Sequence, residues 1–215
     1  EYDPAGTGIH ISADIGRYDT SAWWFWQPCQ GGFRLVDYDE DSGLDAEEWC
    51  DRLALKLSLR GYKLDRLWLP HDAKAKTFSA KHSAVETFLL KFGAPKVRVV
   101  PQMKKADYIN AARLVIRHCV FNSESCKEGL DALRSWQYEY NAETSSFSKD
   151  PKHDWASHAS EALCYGAAMF QQDLPVAKPA TVIPITGMTV GIRTEQTLDQ
   201  LWDEHKRRSA ARRKI

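Results

Sequence analysis

Three apolar segments separated only by short turns constrain the fold before anything else does. IHISAD (residues 9–14), SAWWFWQ (21–27) and GFRLVDYD (32–39) each read as a strand, and the turn-rich GRYDT joins the first two. Strand, tight turn, strand, turn, strand is the pattern of an antiparallel meander. The texture then changes to alternating helix and strand. Asp45 and Glu48 have capping-box spacing at the start of a helix over 46–60, with Trp49, Leu53 and Leu57 on one face and Gly61 ending it. DRLWLP (65–70) is a fourth strand, parallel to the first. Ser83 and Glu86 cap a second helix, whose Val85, Phe88, Leu89 and Phe92 recur at helical spacing before Gly93 stops it.

KVRVVP (96–101) supplies a fifth strand, and helices are expected at about 107–118, 125–138 and 153–171. The expected class is therefore α/β: a mixed sheet of five or more strands with helices on both faces. The main domain is assigned to residues 1–173. Residues 174–215 read as an appendage, in which the proline-bearing LPVAKPATVIPITG is a linker or clasp and 195–213 a basic C-terminal helix or tail.

Composition narrows the class. With 43% hydrophobic residues and eight Trp in 215, the chain is a folded globule rather than a disordered one. No apolar run approaches the ~20 residues needed to cross a bilayer. The five cysteines lack any C-x-x-C pair and read as reduced core thiols of a cytosolic protein. The chain starts without Met in a linker-like segment and is expected to be a domain excised from something longer. Formal charge is zero, yet six basic residues fall in the last ten, so the rest is net negative by six. A nucleic-acid partner would then be held by local patches, not by a global field.

The chemistry is carried by three aspartates at the ends of expected elements. Asp14 closes the first strand beside Gly16, Asp72 follows the fourth, and Asp154 opens the last helix in HDWASHASEALCY. Carboxylates placed in this way can converge at one sheet edge and hold divalent cations, as a two-metal nuclease requires. Each has a blander reading: turn capping for Asp14, a solvated turn for Asp72, helix capping for Asp154. On a helical projection Asp154, His158 and Glu161 share one face, with Asp154 and Glu161 ~10 Å apart along the axis. Asp154 is preferred as the ligand because it lies nearer the strand ends; His158 and Glu161 are supporting partners around the metal. Asp19 reads as local turn structure. Zinc is disfavoured, since His71, His82, His153 and His158 have no Cys partners at zinc spacing and hard carboxylates favour Mg²⁺ or Mn²⁺.

With ADIGRYDTSAWWFW, LPHDAKAKTFSAKHSAVETFLLKFG, VVPQMKKADYINAARLVIRHCVFNSESCKEGLDALRSWQYEY and HDWASHASEALCYGAAMF taken in order, the chain resembles the C-terminal nuclease domain of the large terminase subunit of tailed bacteriophages over residues 9–170. The resemblance implies a ribonuclease H-like fold and a metal-dependent DNA endonuclease that uses two Mg²⁺ or Mn²⁺ to cut concatemeric viral DNA during head filling, in the host cytoplasm. It puts the three acidic ligands on Asp14, Asp72 and Asp154. Relatives often carry Asp where this chain has Glu161. The implied partners are double-stranded viral DNA, the portal and the small terminase subunit, with no membrane; the isolated domain is expected to be a monomer.

Lys74, Lys76, Lys104, Lys105 and Arg113 are the candidates for gripping the DNA backbone, which would position a duplex without reading its sequence. The basic tail either grips DNA, docks on the portal or is a solvated end. No G-x-x-x-x-G-K-[ST] loop occurs, so the packaging ATPase of the full-length family proteins is not in this segment. A resolvase- or transposase-type nuclease, an actin-like ATPase and a non-catalytic docking module of the motor are the alternatives.

Overall fold

A computed structural model describes residues 1–16, 19–75 and 82–170. The expected clasp and basic tail (174–215) and Lys76 lie outside the described residues.

The three N-terminal segments form the meander. β1 (Ile9–Asp14) pairs antiparallel with β2 (Thr20–Cys29), which pairs antiparallel with β3 (Gly32–Ser42). β4 (Leu64–Leu69) lies parallel to β1, as the sequence predicts, with Ser12 opposite Trp68. β5 (Val97–Val99) adds in parallel outside β4. A sixth strand, β6 (Cys119–Phe121), extends the other edge parallel to β3. The order across the sheet is β5-β4-β1-β2-β3-β6.

The helices that cover this sheet are α1 (Ala46–Leu59), α2 (Ala84–Phe92), α3 (Lys105–Val115), α4 (Lys127–Ser135) and α5 (Ser157–Phe170). Both capping boxes read from the sequence are formed. The Asp45 side chain accepts from the Glu48 amide and Glu48 reaches back to the Asp45 amide; Ser83 and Glu86 do the same for α2. Gly61 and Gly93 follow with φ of 66° and 87°, the left-handed values that let the chain leave each helix.

β2 runs through the middle, and its Trp23 and Phe25 point to one face while Trp24 and Trp26 point to the other. Trp23, Phe25, Ile9, Ile11, Leu67 and Leu69 pack under α1 and α2. Trp24, Trp26, Phe33 and Leu35 pack under α3, α4 and α5. A strand buried on both faces explains why its sequence is continuously apolar rather than alternating.

The structure departs from the expected elements at five places. β6 and a separate hairpin of β7 (Tyr138–Asn141) and β8 (Ser146–Pro151) have no counterpart in the periodicity reading, because β6 is only three residues long and the hairpin strands are polar-rich and short. The helix expected at 107–118 starts earlier, at Lys105, and gives way to a tight 3₁₀ turn at Ile116–His118 that redirects the chain into β6. The helix expected over 125–138 is shorter, because Trp136 has already turned to an extended backbone. The last helix begins at Ser157 and not at 153. All five cysteines are free thiols, with Cys50, Cys126 and Cys164 buried.

Candidate metal centre

Parallel pairing of β1 and β4 determines where the site can be. Both strands end at the same sheet edge: β1 at Asp14, and β4 at Leu69, after which Pro70 leads into the 3₁₀ turn His71–Lys74 that carries Asp72. Ligands in open α/β sheets gather beyond the C-terminal ends of such strands.

α5 crosses over β1 in the opposite direction. Phe170 packs edge-on against His10 at 5.2 Å, the Ser12 hydroxyl donates to the Ala162 carbonyl at 2.7 Å, and His158 Nδ1 reaches Asp14 Oδ2 at 3.1 Å. Trp24 Nε1 donates to the Ala159 carbonyl at 2.7 Å, and Trp26 Nε1 to Ser12 Oγ at 2.9 Å. The close approach requires Gly166, where a Cβ would lie 2.6 Å from Ser12 Oγ. Through these contacts the helix is indexed to the strand, and the turn bearing His158 and Glu161 arrives over Asp14.

Asp14 is half-buried, and loss of solvent around it is the main reason its carboxyl is held above the usual carboxylate range. The His158 hydrogen bond opposes that shift, while the charges of Glu161 and Asp72 reinforce it. His158 is in turn held above the ordinary histidine value, first by its hydrogen bond to Asp14, with burial opposing, and then by the charges of Asp14, Asp19 and Glu161. Glu161 is half-buried and ion-paired with Lys105 Nζ at 2.7 Å. Beside that pair a cavity of about 120 Å³ is walled by His71, Tyr108, Trp136 and Tyr165.

The sequence-derived candidates thus separate. His158, Glu161 and Asp72 all act on Asp14 at the end of β1, and Glu161 acts on His158 as well. Asp154 does not project from α5, because the helix starts three residues later. Its Oδ1 accepts from the Ala156 amide at 3.0 Å, its carbonyl accepts from the Ser157 amide at 2.9 Å, and its Oδ2 lies 3.9 Å from Lys152 Nζ. The projection that put Asp154 on the face of His158 and Glu161 assumed helix from 153 onward; a non-helical turn removes that alignment. Lys105 is joined to the carboxylates through Glu161. Lys104 is exposed at the cap position of α3, Arg113 is exposed farther along it, and Lys74 is exposed at the end of the turn carrying Asp72. Asp19, read as local turn structure, instead meets His158 Nε2 at 3.2 Å.

The donor set fits hard divalent cations. The Asp14 carboxyl feels the charges of both Glu161 and Asp72, and carboxylate oxygens are the ligand type that Mg²⁺ and Mn²⁺ favour.

Solved structures share this fold. The chain is similar to the large terminase of a thermophilic bacteriophage, with a TM-score of 0.59 and 17% identity over 76% of this chain and 40% of that one. It is similar to the large terminase nuclease domain of bacteriophage SPP1 with bound Mn, with a TM-score of 0.56 and 13% identity over 79% of this chain and 89% of that one. The large terminase nuclease of another thermophilic phage, G20c, with bound magnesium gives a TM-score of 0.52 and 16% identity over 78% and 83% of the two chains. The fold is that of the large-terminase nuclease domains. It is ribonuclease H-like, as the sequence resemblance implies, and this chain spans less than half of the first of these large terminases. No protein-family model matches the sequence, and no curated protein matches it. Among the described residues, no helix is long and apolar enough to cross a membrane.

Proposed function

We propose that the chain is the metal-dependent DNA endonuclease module of a viral packaging terminase, working on double-stranded DNA in the host cytoplasm. One observation carries the reading: Asp14 lies half-buried at the end of β1 with the charges of Glu161 and Asp72 acting on it, on a fold whose solved examples include nuclease domains with bound Mn and Mg. Cleavage of concatemeric genomes, a pair of Mg²⁺ or Mn²⁺ ions, and docking on the portal and small terminase subunit belong to the same reading.

The ligand set we favour is Asp14, Asp72 and Glu161. Asp154 is a supporting residue that shapes the entry into α5, so the roles of the two later carboxylates are exchanged relative to the sequence expectation. Divalent cations bound by this set would supply Lewis-acid activation of water and neutralise charge on the scissile phosphate. Asp14 presents its oxygens from the end of β1, and Asp72 from the 3₁₀ turn that follows the parallel strand β4. His158 holds the Asp14 carboxylate through Nδ1 and keeps its orientation. Lys105 neutralises Glu161 until the site fills, and is then free to meet a phosphate oxygen. Lys74, Lys104 and Arg113 extend the positive contacts to the DNA backbone, and Lys76 is assigned there from the sequence alone. Contacts of this kind position a duplex without reading bases.

Plasmid nicking with Mn²⁺ tests the reading. Wild type should nick supercoiled DNA, EDTA should stop it, and Asp14→Ala should be inactive. EDTA-resistant cleavage, or full activity in Asp14→Ala, would overturn it. A docking module without catalysis would give no nicking and no Mn²⁺ binding at millimolar concentration.

A further inference from the structure

Asp19 and His153 lie outside the carboxylate cluster, yet both converge on the far nitrogen of His158. Asp19 Oδ2 lies 3.2 Å from His158 Nε2 and 3.8 Å from His153 Nε2, and one donor atom from each of the three residues falls within 4.8 Å of the others. Donors around a tetrahedral ion with ~2.1 Å bonds stand roughly 3.4 Å apart. The three atoms are therefore close to a coordination shell without rearrangement of the backbone.

The other ring nitrogens are tethered: His153 Nδ1 lies 3.0 Å from Ser157 Oγ, and His158 Nδ1 lies 3.1 Å from Asp14 Oδ2. Tying Nδ1 to a hydroxyl or a carboxylate while Nε2 faces the ion is how metal-binding histidines are held.

We propose that Asp19, His153 and His158 form a second cation site, separate from the carboxylate cluster and selective for a divalent transition metal of the Zn²⁺ or Co²⁺ class. Two imidazoles and one carboxylate suit such ions, whereas Mg²⁺ prefers an all-oxygen shell. Three protein ligands leave the fourth position to water, the open form of such a site. His158 then links the two centres: a metal on Nε2 keeps the proton on Nδ1 and the hydrogen bond to Asp14 in place. The site stands on its own geometry and does not depend on the nuclease reading.

Calorimetric titration of the whole chain with Zn²⁺ in saturating Mg²⁺ provides the test, with the visible absorption of added Co²⁺ as a second readout. Wild type should bind one Zn²⁺ per chain and give a four-coordinate Co²⁺ spectrum. His153→Ala and Asp19→Asn should each weaken Zn²⁺ binding by at least ~10-fold; both side chains are more than half exposed, so the fold tolerates the changes. Asp72→Asn should leave Zn²⁺ binding intact. No Zn²⁺ uptake over Mg²⁺, uptake insensitive to His153→Ala, or uptake lost in Asp72→Asn would each overturn the proposal; the last would reassign the ion to the carboxylates.

Discussion

Ser12 on β1 donates its hydroxyl hydrogen to the carbonyl oxygen of Ala162 on α5, 2.7 Å away, and accepts a hydrogen from Trp26 Nε1 at 2.9 Å. All three groups are buried, so the hydroxyl is the joint that sets how far α5 slides along the strand. Ser12→Ala leaves the indole N–H without a partner in the core, whereas the Ala162 carbonyl keeps its bond within α5. The orphaned donor costs about 1–3 kcal/mol, and urea unfolding should show a loss of that size. Gly166→Ala should cost a similar ~1–3 kcal/mol by overpacking, because its Cβ would meet the same hydroxyl. Both variants should also bind Mn²⁺ more weakly, since the turn carrying His158 and Glu161 would shift away from Asp14.

Lys105 occupies the position a cation would contest. Its 2.7 Å ion pair with Glu161 satisfies the carboxylate in the metal-free protein. Lys105→Gln should therefore raise Mn²⁺ affinity, measured by calorimetry, while weakening DNA binding. The slope of log affinity against log salt should flatten by about one unit, the signature of one lost phosphate contact. An unchanged slope would remove Lys105 from the DNA-binding surface.

The thiols offer a check on the core that does not involve the site. Burial pushes Cys50, Cys126 and Cys164 up to about 12, and burial does the same to Cys119. The sign is clear: at pH 8 these groups are protonated and poor nucleophiles. A disulfide reagent at pH 8 should leave all four untouched in the native protein and titrate five thiols once the chain is unfolded. Rapid native reaction at Cys126 or Cys164 would mean that the packing of α4 or α5 against the sheet is wrong.

Much of the fold was legible because the central elements carry strong local signals. SAWWFWQ can be buried on two faces only as an inner strand, and two capping boxes announced α1 and α2. The parallel pairing of DRLWLP with IHISAD followed from order alone, and it brought Asp72 to the edge where Asp14 ends. β6 and the β7–β8 hairpin were not legible, since Cys119–Phe121 is only three residues and the hairpin strands are polar and exposed. Which of the two later carboxylates reaches the end of β1 was not legible for a related reason. Whether Asp154 projects from a helix depends on where α5 starts, and the turn at 154–156 is held by Asp154 and Ser157, whose types fit a cap or a first turn equally well. The meeting of Asp19, His153 and His158 has no sequence spacing to announce it, because it joins the β1–β2 turn to the start of α5.

The exchange of roles between Asp154 and Glu161 is the point on which the proposed centre turns. Plasmid nicking in Mn²⁺ by Glu161→Gln and Asp154→Asn, side by side, tests it most directly. Loss of a ligand should exceed the ~100-fold that removal of a supporting partner can cost, so Glu161→Gln is predicted to be inactive and Asp154→Asn to retain measurable cleavage. Robust nicking by Glu161→Gln together with silence in Asp154→Asn would contradict the account.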